Sequence, residues 1–197
     1  SRRLRDRLVA DGHPRVVPVS VESRAAGGVY IADGQLIDDI DGTATPVAAV
    51  TDFAALPGAH NWQNAAAAYA VARLSGMAPA AITMAIASFP GLAHRQERVA
   101  AEAGLLWVND SKATNGEAAS KALACYDDIF WIAGGQPKEG GLAATEPFWN
   151  RVRRAFLIGE AAEDFARALG RAVPHEICGT LDAAAEEPGQ PSRQRQQ

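Results

Sequence analysis

The hydrophobic and polar positions of this 197-residue chain repeat with helical spacing in some stretches and alternate in others. At the N-terminus, "SRRLRDRLVA" places Leu4, Leu8 and Val9 on one side and predicts an amphipathic helix. "RVVPVSV" predicts a short strand. Two alternating runs around Asp33-Gly34 predict a β-hairpin, because both residue types tolerate the positive φ of a tight turn. "TPVAAVTDF" predicts one more extended segment.

Two helices are predicted to follow this hairpin region. The stretch 61–74 is rich in alanine at helical spacing, and Gly76 is placed to cap its C-terminal end. Pro79 suits the first turn of the next helix, which we expect to end near Phe89. "PGLAHR", residues 90–95, interrupts the helical pattern. The sequence therefore predicts two units that divide near residue 90.

Beyond this boundary, short apolar runs alternate with helical patterns. We predict strands at 97–102, 105–109, 128–133, 154–158 and 174–177, and helices at about 115–124, 144–150, 160–169 and from about 180. This alternation is typical of an α/β fold with a parallel sheet and helices on its faces. The last stretch, "EEPGQPSRQRQQ", has no apolar residue beyond its prolines, and we expect it to be disordered.

The composition narrows the functional class. Hydrophobic residues make up 48% of the chain, which is enough for a core, and the net charge of -4 argues against a sequence-independent nucleic-acid surface. We expect neither a signal peptide nor a membrane span, because no apolar run approaches the roughly 20 residues that a span requires. Cys125 and Cys178 lie in apolar stretches and lack a CxxC pattern. We therefore predict buried thiols, and neither a metal site nor a disulfide framework. We expect a cytoplasmic protein without nucleic-acid or membrane partners.

Polar side chains accumulate where two predicted strands end. "LLWVNDSKATN" passes from an apolar strand into a polar cluster. Turn and capping roles explain Asp110 and Asn115 taken singly, but Lys112 beside a helix start suits an anionic ligand better. "IFWIAGGQPKEGG" ends a strand in two glycines before Lys138 and lacks the P-loop spacing, so a plain surface loop is an equally good interpretation. Because ligands bind at strand ends in α/β sheets, we predict that a ligand with a carboxylate or phosphate group binds here.

Two further segments suggest nucleotide contacts. In "PGAHNWQNAAAAYA", Asn61 is most simply an N-cap, yet Asn61 and Asn64 would share one helix face, with amides that can pair with a planar heterocycle. In "AHRQE", Arg95 lies at the predicted boundary and can bind phosphate with two parallel hydrogen bonds. A single arginine of this kind is more often a plain surface residue.

Four segments together resemble a known family: "GAHNWQNAAAA", "FPGLAHRQE", "VNDSKATN" and "IAGGQPKEGG", in this order. They resemble the UDP-N-acetylmuramoyl-L-alanine:D-glutamate ligases of the ATP-dependent Mur ligase superfamily, over roughly residues 1–182. "DSKATN" after "HR" is the specific part, since the sister ligases carry other residues there. The resemblance implies the C-terminal part of a P-loop-type central ATPase domain at 1–90 and a Rossmann-like C-terminal domain at 91–185. Both would be incomplete, with a tail at 186–197.

The resemblance also implies an activity and a set of sites. The family adds D-glutamate to UDP-N-acetylmuramoyl-L-alanine through an acyl phosphate, in cytoplasmic peptidoglycan precursor synthesis, and so serves cell shape and cell division. It uses ATP and Mg²⁺ and small-molecule substrates, and we expect a monomer. Asn61 and Asn64 would face the adenine, Arg95 and Asp110 the ATP phosphates and ribose, and Lys112, Thr114 and Lys138 the carboxylates of D-glutamate. Lys112 and Arg95 are the catalytic candidates.

The chain departs from the family pattern at both ends. The P-loop, the magnesium ligands, a carbamylated lysine and the UDP-substrate domain are not in these residues, and we expect them upstream. At the other end, "EEPGQPSRQRQQ" replaces a strand and a Ser-rich loop, which suggests a truncation or frameshift. We therefore expect no ligase turnover from these 197 residues alone. The alternatives are a non-catalytic Rossmann-like module for a nucleotide or acidic metabolite, and another superfamily ligase such as a folylpolyglutamate synthase, against which "DSKATN" argues.

Overall fold

The computed structural model describes residues 2–13, 16–102, 104–137 and 140–186. These residues form two compact units that divide between Gly91 and Leu92. None of the helices in the described ranges is long and apolar enough to cross a membrane.

The first unit combines a four-stranded sheet with three α-helices. Its elements are α1 (Arg2–Ala10), β1 (Val19–Ser20), β2 (Val29–Ala32), β3 (Gln35–Asp38), β4 (Thr45–Ala49), a 3-10 helix (Val50–Asp52), α2 (Ala59–Leu74) and α3 (Pro79–Ala87). The strand order is β1-β2-β3-β4, with β1 parallel to β2 and the other pairs antiparallel. The helices predicted at the N-terminus, near 61–74 and from Pro79 are confirmed.

The predicted hairpin is confirmed, while the strand before it is shorter than expected. Asp33 and Gly34 have φ values of 50° and 72°, which the tight turn between β2 and β3 requires. Only Val19 and Ser20 of "RVVPVSV" form a strand. Pro18 has no N–H to donate, so the described ladder with β2 begins after it, although its carbonyl accepts from Val29 N at 2.9 Å.

Alanines allow α2 to lie close to the sheet of the first unit. Ala65, Ala66 and Ala70 are buried on the helix face that also presents Tyr69, and they pack with Val29 and Leu36 of the sheet. The core of this unit therefore lies between α2, α3 and the hairpin strands. The C-cap of α2 is Ser75. Gly76, which the sequence predicts as the cap, is the next residue and has a φ of 90°.

A polar cluster is built into this packing. Asp38, only 8% exposed, accepts hydrogen bonds from the Tyr69 hydroxyl at 2.9 Å, Arg73 Nε at 3.1 Å and Ile40 N at 3.0 Å. Arg73 also donates to Asp41 at 2.6 Å. These contacts join the end of β3 to α2. Burial, with the hydrogen bond to Asp38, raises the pKa of the Tyr69 hydroxyl.

The second unit has the α/β character that the sequence predicts. Its elements are β5 (Glu97–Glu102), β6 (Leu105–Asn109), α4 (Gly116–Leu123), β7 (Ile129–Gly134), a 3-10 helix (Ala143–Arg151), β8 (Val152–Ile158), α5 (Ala162–Leu169), β9 (His175–Gly179) and α6 (Leu181–Glu186). Strands β7, β8 and β9 form a parallel sheet with β8 in the centre. Its core includes Leu123, Ala155, Leu157, Leu169 and Val173.

Two predictions for this unit were wrong in detail. Strands β5 and β6 pair antiparallel in a two-stranded sheet of their own, because only residues 103–104 separate them and a parallel pair needs a long crossover. The helix predicted at 144–150 is a 3-10 helix that contains Pro147. Proline removes a backbone donor and disfavours a regular α-helix.

Candidate functional site

The polar stretch after β6 is partly explained by the start of α4. Asn115 has an extended backbone, and its Oδ1 accepts a hydrogen bond from Ala118 N at 2.8 Å, so it is the N-cap. The predicted capping role of Asn115 is confirmed, and the neighbouring Thr114 does not cap the helix. Glu117 in the first turn adds a favourable charge at the helix N-terminus. Asn115 therefore stabilises the fold, and its neighbours remain to be explained.

Between strand and helix, the backbone folds into a compact turn. Ala113 N donates to Asp110 O at 2.8 Å, and Thr114 N donates to Lys112 O at 2.9 Å. The side chains of Lys112 and Thr114 are exposed and form no hydrogen bond or ion pair with any described residue. A loop whose backbone is satisfied internally presents these two groups outward. That arrangement fits ligand binding better than internal support.

The turn that carries Arg95 is joined to this loop. Lys112 N donates to His94 O at 3.1 Å, and Gln96 N donates to Asp110 Oδ1 at 3.0 Å. Arg95 lies between these attachment points, and its exposed side chain has no described partner. The structure thus places Arg95, Asp110 and Lys112, which are well separated in sequence, on two adjoining turns.

The Arg95 turn has an unfavourable backbone. His94 and Gln96 have φ values of 64° and 47°, in the left-handed region that non-glycine residues seldom adopt. His94 N donates to Glu97 Oε2 at 2.9 Å, and the Gln96 side chain is 7% exposed and hydrogen-bonds with Cys125. Several contacts therefore hold a turn that isolated residues would avoid.

Cys125 is half-buried, not fully buried as the sequence suggests, and so is Cys178. Burial raises the pKa of the Cys125 thiol. Its Sγ donates to Lys121 O at 3.0 Å. This thiol is therefore poorly suited to act as a nucleophile.

The glycine-rich loop serves packing at one end and approaches α4 at the other. A Cβ on Gly134 would lie 1.9 Å from Ile158 O, so glycine is required there for β7 and β8 to approach. A Cβ on Gly116 would lie 2.6 Å from Gly141 O, which places the end of this loop against the start of α4. Lys138 lies outside the described residues, between these two ends.

Asn61 and Asn64 lie within α2, and neither of them is its N-cap. Gly58, with a φ of 85°, is the N-cap of α2, so the N-cap interpretation of Asn61 was wrong. Asn61 is half-buried and donates through Nδ2 to Pro57 O at 2.8 Å, which leaves its Oδ1 able to accept. Asn64, one helical turn later, is exposed and has no described partner. Both residues belong to the first unit.

Asn109 joins the polar loop to His94, a role that the sequence does not predict. Its Oδ1 accepts from Ser111 N at 3.1 Å, and its Nδ2 lies 2.9 Å from His94 Nδ1. The local half of this arrangement has a sequence signal, because asparagine two residues before an N–H often forms an Asx-turn. The contact to His94 has none, since it depends on the register of β5 and β6, which pairs Glu97 with Asn109.

Within the described ranges, no group of three or more His, Cys, Asp or Glu side chains could hold a metal ion. No metal ligand is therefore assigned to this part of the chain. The positive charge of the site comes from Arg95 and Lys112.

Comparison with known proteins gives a consistent result. The chain is 53% identical over 184 residues to a protein of Rhodospirillum rubrum named UDP-N-acetylmuramoylalanine--D-glutamate ligase, covering 93% of this chain and 39% of that protein. Proteins of the same name match from Paramagnetospirillum magneticum, at 52% over 170 residues (86% and 36%), and from Rhizobium etli, at 46% over 181 residues (90% and 38%). No protein-family model matches.

The chain spans about two fifths of the length of these curated relatives. The match covers most of this chain, and the sequence identity is far above the level at which protein folds diverge. By sequence, the chain belongs to the family of UDP-N-acetylmuramoylalanine--D-glutamate ligases, of which it corresponds to a part.

Proposed function

We propose that this chain forms the amino-acid-binding part, and some of the nucleotide-binding part, of an ATP-dependent ligase. The enzyme joins D-glutamate to UDP-N-acetylmuramoyl-L-alanine in the cytoplasmic synthesis of peptidoglycan precursors, as a monomer. One observation carries the proposal. Lys112 N donates a hydrogen bond to His94 O at 3.1 Å, and this contact places two exposed cations, Lys112 and Arg95, on adjoining turns. The names of the curated relatives support the choice of substrates.

The exposed side chains suit the carboxylates of D-glutamate. Lysine is a compact charge with three donors that can reorient toward a carboxylate. Lys112 and the Thr114 hydroxyl are one residue apart on the same turn and have no described partner. Lys138 is assigned to the same carboxylates because the loop that contains it ends beside Gly116, at the start of α4. Two cations and a hydroxyl would fix which amine the site presents.

The nucleotide is assigned to the remaining polar groups. The guanidinium of Arg95 matches phosphate oxygens in a bidentate geometry, and Asp110 can accept from ribose hydroxyls. Asn61 and Asn64 are assigned to the adenine edge, where Asn61 Oδ1 can accept and the Asn64 amide can both donate and accept. Mg²⁺ supplies neutralisation of the phosphate charge when it is bound. Its ligands are assigned to parts of the enzyme outside the described residues.

The proposed chemistry uses these residues for positioning and charge stabilisation. A carboxylate oxygen of the first substrate attacks the γ-phosphorus of ATP, and ADP leaves. The amine of D-glutamate then attacks the carbonyl carbon of the acyl phosphate, loses a proton, and displaces inorganic phosphate to leave an amide. Holding the amine at the correct distance is the main contribution of Lys112, Thr114 and Lys138. Arg95 stabilises negative charge that develops during the transfer.

A chimera tests this proposal. The segment of the Rhodospirillum rubrum enzyme that matches this chain would be replaced by the matching residues of this chain, and amide formation would be measured with ATP and UDP-N-acetylmuramoyl-L-alanine. We expect product and phosphate release with D-glutamate, and neither with L-glutamate or L-lysine. Product with a different amino acid would contradict the substrate assignment. A folded chimera that binds D-glutamate without turnover would indicate a non-catalytic binding module.

A further inference from the structure

We propose that Asn109 is a positioning residue, whose amide locks the Arg95 turn to the loop that carries Asp110 and Lys112 and selects the tautomer of His94. The structural part of this inference stands on the geometry alone. Its catalytic part rests on the proposed function.

The two ends of the Asn109 amide have different partners, and this determines their roles. Oδ1 accepts from Ser111 N at 3.1 Å, so the NH₂ group faces His94 Nδ1 at 2.9 Å. An NH₂ group can only donate, and His94 Nδ1 must therefore accept. The neutral imidazole then carries its hydrogen on Nε2.

The Glu97 carboxylate could compete with Asn109 for the His94 ring, but it already accepts another hydrogen bond. Glu97 Oε2 accepts from the backbone N of His94 at 2.9 Å and lies 4.0 Å from Nδ1, beyond hydrogen-bond distance. Glu97 therefore supports the left-handed backbone of His94, while Asn109 holds the ring. The two side chains act on the same residue from different sides.

Two further hydrogen bonds make the Asn109 amide one component of a larger clamp. Lys112 N to His94 O and Gln96 N to Asp110 Oδ1 attach the two turns on either side of Arg95. Left-handed residues such as His94 and Gln96 persist only when their surroundings hold them. Loss of the Asn109 amide would let the turn relax and would move Arg95 relative to Lys112.

The first experiment reads the His94 ring in the 197-residue chain by ¹⁵N NMR, with the signal identified through His94→Gln. Wild type is expected to show the Nε2–H tautomer. Asn109→Asp keeps an acceptor for Ser111 N but removes the donor, so the hydrogen should move to Nδ1. Asn109→Ala should leave a mixture of tautomers and increase hydrogen exchange at Lys112 N about tenfold. Asn150→Ala, at an exposed asparagine of the same unit, should change neither.

Retention of the wild-type tautomer in both Asn109→Asp and Asn109→Ala would overturn the structural inference. Both variants are compared by the circular dichroism of the folded chain, so that a change confined to His94 and Lys112 is separated from general unfolding.

The second experiment measures kinetics in the chimera. A displacement of about 1 Å in a positioned group can reduce rates by roughly 100-fold. We expect Asn109→Ala to lower kcat/KM for ATP by about tenfold to 100-fold, with KM for D-glutamate within about twofold. Unchanged kinetics in an active chimera would overturn the positioning role. An inactive wild-type chimera would instead contradict the proposed function, and the NMR result would decide the role of Asn109.

Discussion

Each unit contains a polar cluster, and the two clusters use their side chains in opposite ways. In the first unit, Asp38, Tyr69 and Arg73 hydrogen-bond to each other, with Asp38 only 8% exposed. In the second unit, Arg95 and Lys112 are exposed and have no described partner, although their backbones are held by several hydrogen bonds. Polar groups that bond to each other stabilise the fold. Polar groups held outward on a rigid backbone are available to a ligand.

Tyr69→Phe should give the largest stability change and tests the first half of this comparison. It removes the donor to Asp38 at 2.9 Å without changing the packing of a fully buried ring. A hydrogen bond to a charged group contributes about 1.5–3 kcal/mol, and we expect that loss in the free energy of unfolding, measured by urea denaturation. Tyr30→Phe is the matched control and should have a smaller effect. Equal losses would show that the Asp38 contact is not special.

Alkaline pH should weaken the first unit through the same residue. The folded-state pKa of Tyr69 is raised, so above about pH 10 the unfolded state releases a proton that the folded state retains. Stability should then fall by up to about 1.4 kcal/mol per pH unit, while none of this loss occurs below that pH. Tyr69→Phe should reduce the slope in denaturation series at pH 8 to 11. Some slope should persist, because burial also raises the pKa of Tyr126.

Asn115→Ala tests the residue of the "NDSKATN" stretch that caps α4. Loss of an N-cap costs about 1 kcal/mol, and we expect this reduction in the free energy of unfolding. Thr114→Ala, at the neighbouring exposed position, should change it by less than about 0.5 kcal/mol. A larger effect at Thr114 would mean that the hydroxyl supports the loop and is not free for a ligand.

Arg95→Ala and Lys112→Ala should have the smallest effect on stability. Both side chains are exposed and unpaired within the described residues, so each substitution should change the free energy of unfolding by less than about 0.5 kcal/mol. Thermal and urea denaturation of the 197-residue chain would measure this. A loss comparable to that of Tyr69→Phe would remove the distinction between the two units.

The sequence predicts the elements of this fold better than their connections. The period of apolar residues locates the hairpin, α2 and the three parallel strands, because burial of one face imposes that period directly. Pairing depends on loop length, and the two-residue connection at 103–104 makes β5 and β6 antiparallel despite their place in an alternating pattern. Pro147 similarly changes a helical pattern into a 3-10 helix.

The residues of the candidate site are also predicted better than the contacts between them. Local chemistry and the family resemblance single out Arg95, Asp110, Lys112 and Thr114 from sequence. The contact between Asn109 and His94 is invisible there, because it joins residues brought together by the β5–β6 register. The choice of Gly58 over Asn61 as N-cap also depends on where the backbone enters α2, which residue type alone does not determine.

The proposed role of Lys112 is to bind a carboxylate of the incoming amino acid. Its most direct test is KM for D-glutamate in the chimera, with Lys112→Ala compared with Lys121→Ala, an exposed lysine on α4. Loss of a charged hydrogen bond of about 1.5–3 kcal/mol predicts a rise of roughly 10- to 100-fold for Lys112→Ala, a similar direction for Lys138→Ala, and no change for Lys121→Ala. KM for ATP should stay within about twofold. A raised KM for ATP with unaltered use of D-glutamate would contradict the account.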